Sequence, residues 1–189
     1  LKGGAVYLLG IAFGLSYNFY FKYTALSPLP YVIAFAALPA SIVLAVDKTP
    51  PLWMLAAGSL LGVAAHIANV LKDFDEDGLS GIRSFPRIIG ERASRFAIAV
   101  ILLATTVLLN NVNPRPALLF VGIIGALLTI KAPRKILFKA IMAVALANLV
   151  LLVSALGPEI GNKEFPEKAS ITIGADRPAE VFFPESNQS

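Results

Sequence analysis

Carboxylates crowd into one short stretch of this chain. Upstream of a polar C-terminal stretch the acidic residues are Asp47, Asp73, Asp75, Glu76, Asp77 and Glu91, so most of them fall between positions 73 and 77, directly after the apolar run from Leu52 to Leu71. Charge beside hydrocarbon is costly, and ionisable residues at the end of a membrane span are candidates for function by default. Helical positions three and four apart share a face. His66, Asn69, Asp73 and Asp77 follow that spacing and are expected to descend one side of a helix, with Asp75 and Glu76 pointing elsewhere. Two carboxylates one turn apart can give oxygen to a hard cation. Mg2+ usually keeps several waters and takes one or two carboxylates plus substrate phosphates. The chemistry expected here is capture of a divalent cation and, through it, of a diphosphate. A solvated acidic helix end is the simpler alternative. A calcium loop is disfavoured: Asp73, Asp75, Asp77 and Gly78 fit its start, but its twelfth position, which should be a bidentate Glu, is Ser84.

The elements that must hold these residues are membrane helices. The chain has 189 residues, 57% hydrophobic and 15% charged, with mean hydropathy +0.74. A soluble domain is about 45–50% apolar and about 25% charged. Six spans are expected, over 5–21, 29–46, 52–71, 95–109, 117–130 and 136–156, joined by short polar or proline-bearing connectors. The connector after the third span is longer, from Lys72 to about Arg92. Gly78 and Gly81 break the helix there, and Pro86 is expected to delay its resumption. Pro39 lies within the second span. Residues 157–189 are expected to form a separate polar tail, disordered or carrying a small hairpin from 169–174 and 179–183. No cysteine is present, which removes disulfides, thiol nucleophiles and thiolate metal sites.

With six spans the basic residues fall on opposite sides unequally. Lys22, Lys72, Arg83, Arg87, Arg92, Arg95, Lys131, Arg134, Lys135 and Lys139 share one side, against Lys2, Lys48 and Arg115 on the other. Positive charge near span ends marks the cytoplasmic face, so the acidic loop is expected in the cytoplasm and the tail outside. These cations sit in short loops between apolar helices, a pattern that does not suit nucleic-acid binding.

The spacing Asn69-x3-Asp73-x3-Asp77-x3-Gly81-x-Arg83-Ser84-x-Pro86-x3-Gly90 resembles the second aspartate-rich motif of the UbiA superfamily of intramembrane prenyltransferases. The segment from Tyr17 through Lys22, Thr24 and Ser27 to Pro30 resembles the stretch after that family's fourth helix. The resemblance covers roughly residues 5 to 156. It implies an all-α bundle equivalent to the fourth to ninth of nine helices, its first helix starting outside as the charge bias also requires. The family's first aspartate-rich motif has no match here and is expected upstream of Leu1, the chain being read as truncated at its N-terminus.

The resemblance further implies Mg2+-dependent transfer of an isoprenoid group from its diphosphate to an aromatic or other lipid-precursor acceptor. Asp73 and Asp77 would bind the metal and serve as the catalytic pair. Asn69 would orient a metal-bound water or a phosphate oxygen, and Lys22, Lys72 and Arg83 would contact the diphosphate. Lys72 and Arg83 are equally readable as cytoplasmic anchors. His66 is expected to bond a neighbouring helix and not a metal. Tyr17, Asn18 and Tyr20 could line the site or sit in an interfacial belt, and Trp53 is most simply a belt residue. Rival functions are a transporter or channel with an acidic gate, and a non-catalytic scaffold. A transporter should carry charge or broken helices near the bilayer midplane, where this chain offers little beyond His66 and Pro39.

Overall fold

The computed structural model describes residues 1–161, with side chains described through Asn148. The expected hairpin at 169–183 lies outside the described residues. Six long helices carry the architecture: α1 (Lys2–Phe19), α2 (Leu29–Ala45), α3 (Leu52–Lys72), α5 (Phe85–Val112), α6 (Pro116–Lys131) and α7 (Arg134–Gly161). The six-residue α4 (Phe74–Leu79) and a single 3-10 turn (Phe21–Tyr23) complete the set. Among the described residues there is no strand. The chain is an all-α bundle, and α3 and α5 are long and apolar enough to cross a membrane.

Proline sets several helix starts. Pro30, Pro86 and Pro116 stand in the first turn of α2, α5 and α6, where the missing N–H would have had no helical partner. This corrects the expected fourth span. Pro86 opens a short first segment of α5, over 85–89, and the continuous helix begins after Gly90, about one turn before the expected Arg95. Gly90, at φ 83°, then interrupts its helical geometry. The expected continuous face through Asp77 is also broken, because Asp73 leaves helical geometry (φ −107°, ψ 22°) and ends α3. One turn of register survives the break, since the Asp77 N–H donates to the Asp73 carbonyl at 2.9 Å.

α3 lies at the centre. Ala64, Ile67, Ala68 and Leu71 on α3 bury against Ile98 and Leu102 of α5 and Leu137, Ile141 and Val144 of α7. Its other side meets α2 at very short range. A Cβ on Gly58 or Gly62 would fall 2.5 Å from the carbonyl oxygen of Phe35 or Tyr31. Small residues four apart allow such backbone approach between membrane helices. The approach brings Tyr31 of α2 onto the same level as His66 of α3.

Candidate functional site

His66 is fully buried (0% exposed) between two tyrosines, 5.5 Å from the Tyr17 ring and 5.0 Å from the Tyr31 ring, centre to centre. Its Nε2 lies 3.0 Å from Ser27 Oγ, and the same hydroxyl oxygen accepts the Phe85 N–H at 2.9 Å. Ser27 and His66 share this hydrogen bond, its direction set by the His66 tautomer. The hydroxyl thereby ties the segment before α2, the middle of α3 and the start of α5 into one node. This node fixes the distance between α3 and the far end of the acidic loop.

Below it the loop is built compactly. Asp73 closes α3 and α4 begins at the next residue. The Gly81 N–H donates to the Gly78 carbonyl at 3.3 Å and the Ile82 N–H to the Asp77 carbonyl at 3.1 Å, with Gly81 at φ 70°. That left-handed conformation is cheap only without a Cβ. Arg87, from the first turn of α5, reaches back across the loop. It donates to the Phe74 carbonyl, stacks 4.7 Å from the Phe74 ring centre, and lies so close to Gly78 that a Cβ there would sit 2.5 Å from its guanidinium.

Asp77 is half-buried, and burial pushes its carboxyl above the ordinary value. The negative charge of Asp73 adds to that rise, while Arg87 and Lys22 oppose it. Tyr17 lies within electrostatic reach of both carboxylates. Lys72 Nζ stands 3.3 Å from Asp73. Asn69, half-buried, sits one turn above Asp73 on α3. Thus Asp73, Asp77, Lys22 and Lys72 come together, with Asn69 above them. Arg83 is exposed and, with Gly78, Gly81 and Arg87 among others, lines a cavity on the loop.

The acids at the edge of this group have a different fate. Arg134 joins Asp75 (2.6 Å) to Glu91 (2.5 Å), and Glu91 also accepts from Arg95 at 2.9 Å. Arg95 in turn donates to the Thr129 and Ala132 carbonyls at 2.9 and 2.8 Å, closing the C-terminal end of α6.

Sequence reasoning missed Arg87 and the Ser27 node. A cation in the first turn of a helix is unfavourably placed against the helix dipole, which would have singled out Arg87 had the start of α5 been placed at Phe85. Ser27 gave no signal beyond its place in the pattern from Tyr17 to Pro30.

Asp73 and Asp77 supply two hard oxygen donors, one at the end of α3 and one on α4. That suits a cation that completes its shell with water and substrate. Among the described residues no group of three or more His, Cys, Asp or Glu side chains is arranged to hold a metal by itself.

The sequence model of the UbiA prenyltransferase family matches residues 3–139. No curated protein and no solved structure matches the chain.

Proposed function

The chain belongs to the UbiA prenyltransferase family, and from that premise we propose that it transfers an isoprenoid group from an isoprenoid diphosphate to a hydrophobic, aromatic or other lipid-precursor acceptor. The family and the two apolar helices make it a membrane protein. The observation that carries the proposal is the pair Asp73 and Asp77 at the end of a membrane helix, with Lys72 against Asp73 and with Lys22 and Arg87 acting on Asp77.

Asp73 and Asp77 hold Mg2+, which when bound neutralises the charge that builds on the departing diphosphate. Lys22 and Arg87 approach the same anion from the 3-10 turn and from α5, and Arg suits bidentate contact with phosphate oxygens. Lys72 is held at the rim by Asp73, where it would lie within reach of a bound diphosphate. Asn69 orients a water or a phosphate oxygen from one turn above. The allylic carbon–oxygen bond breaks with its electron pair leaving on the diphosphate. A carbon or oxygen of the acceptor then bonds to the allylic carbon and gives up a proton. An apolar cavity of about 380 Å³, lined by Phe35, Trp53, Leu61 and Leu109 among others, opens further along α3. Leu61 is about 18 Å from Asp73 at the helical rise, a suitable direction for the isoprenoid tail. The acidic loop faces the cytoplasm, in keeping with the basic residues around it.

The test is Mg2+-dependent binding and turnover of isoprenoid diphosphates by the full-length protein in lipid nanodiscs. Diphosphate release coupled to prenylation of a lipid-extract acceptor is expected. Binding that is indifferent to Mg2+, or intact in the Asp77→Asn variant, would refute the assignment.

A further inference from the structure

The corner where α6 turns into α7 carries cations of two kinds. Arg134 is occupied, holding Asp75 and Glu91, the carboxylates that reach this corner. Lys131, Lys135 and Lys139 are exposed and make no ion pair among the described residues. Lys131 closes α6, and only Ala132 and Pro133 separate it from α7. Arg95 clamps that turn through the Thr129 and Ala132 carbonyls. The three lysines therefore stand on a fixed corner, not on a loose loop.

Their placement along α7 says what they meet. Leu137, Ile141 and Val144 turn inward to the core. Lys135, Lys139, Met142 and Leu146 follow helical spacing down the opposite side. That outward stripe is cationic at its start and apolar afterwards, with Leu146 exposed at its end and Ile136 exposed beside the lysines. A soluble anion matches only the lysines. A phospholipid matches both parts, its phosphate against the ammonium groups and its acyl chains along Met142 and Leu146. We propose that the α6–α7 corner is a docking surface for an anionic phospholipid, in the bilayer leaflet on the side of the acidic loop. The headgroup supplies the countercharge that no carboxylate among the described residues gives these lysines. Lipid bound there steadies the first turn of α7, from which Arg134 ties down α4 and α5.

The test is native mass spectrometry of the full-length protein, titrated with phosphatidylglycerol and, separately, with phosphatidylcholine. Phosphatidylglycerol should bind the more tightly. Replacing Lys135 and Lys139 by Gln should weaken it about fivefold for each lysine removed, with phosphatidylcholine unaffected. Replacing both by Arg should restore the preference. The control is Lys2→Gln with Lys48→Gln, which removes the same charge from the opposite end of the bundle and should change nothing. An equal loss in that control would make the preference a matter of net charge and overturn the proposal. Displacement of the lipid by inorganic phosphate at matched concentration would make the corner a soluble-anion site instead. Equal binding of the two lipids by the native protein would mean that no lipid site exists there.

Discussion

Asp75 and Asp77 are two residues apart on the same short helix and live in opposite electrostatic worlds. Asp75 is matched to Arg134, which also pairs with Glu91, itself paired with Arg95, so two acids and two arginines form a closed chain between α4, α5 and α7. Asp77 faces another carboxylate, and its cations are an arginine already spent on a backbone carbonyl and a lysine on a separate turn. One cluster is neutral and binds the fold together. The other sets two carboxylates side by side at the end of α3, with cations drawn from three separate elements, Lys72 of α3, Lys22 of the 3-10 turn and Arg87 of α5. The difference separates a structural ion network from a binding site more cleanly than the number of acids does.

The contrast is tested most directly at Asp77. Asp77→Asn should remove Mg2+-dependent donor binding and lower turnover by about 10²–10³, the usual scale for losing a charge-stabilising group in a reacting site. The thermal midpoint of the metal-free protein should hold or rise, because a repulsion has been relieved. A variant that loses stability in step with activity would show that Asp77 is structural after all. Next in size, replacing Lys22 by Gln should raise the donor KM roughly tenfold, since a charge-assisted phosphate contact is worth about 1.5–3 kcal/mol, with kcat less affected. An unchanged KM would remove Lys22 from the site.

The neutral cluster should respond the other way. Glu91→Gln leaves Arg95 and Arg134 short of a partner and should cost about 1–2 kcal/mol of stability, read as a lower melting midpoint, with donor affinity per folded molecule retained. A tenfold change in donor affinity would merge the two clusters into one. The smallest effect is expected at Asp75, whose side chain is 81% exposed. Asp75→Asn should cost less than about 1 kcal/mol, as exposed ion pairs do. Adding Mg2+ separates the two acids further: it should raise the melting midpoint of the native protein and of Asp75→Asn, and leave that of Asp77→Asn unmoved.

Much of this was legible in the residues. Apolar runs and prolines located the six long helices, because in a bilayer a span must be long, apolar and free of charge. The crowding of acids pointed to the candidate site. Residue spacing already set Asp75 on a different face from Asp77, but it could not show that Asp75 is paired, since its partner Arg134 arrives from α7, distant in sequence. It also misplaced the start of α5. Pro86 reads as a breaker when judged locally and as a first-turn residue once Phe85 is tied to Ser27. Arg87 was hidden by that error among the other loop cations. The Gly58 and Gly62 approach that brings Tyr31 to His66 depends on which helices pack together, which one chain's periodicity does not state.

The hydrogen bond from Phe85 to Ser27 spans 58 residues, and that separation has a meaning in time. At about 5–20 residues per second of synthesis, Phe85 is made roughly 3–12 s after Ser27. Ser27 can meet His66 during that interval, but the acidic loop stays unlatched until the ribosome has delivered the first turn of α5. The carboxylates themselves are made shortly before Phe85, so the charged loop waits roughly 0.4–2.4 s for its latch. Whatever assists the membrane insertion of this protein must tolerate that open loop until the serine closes it.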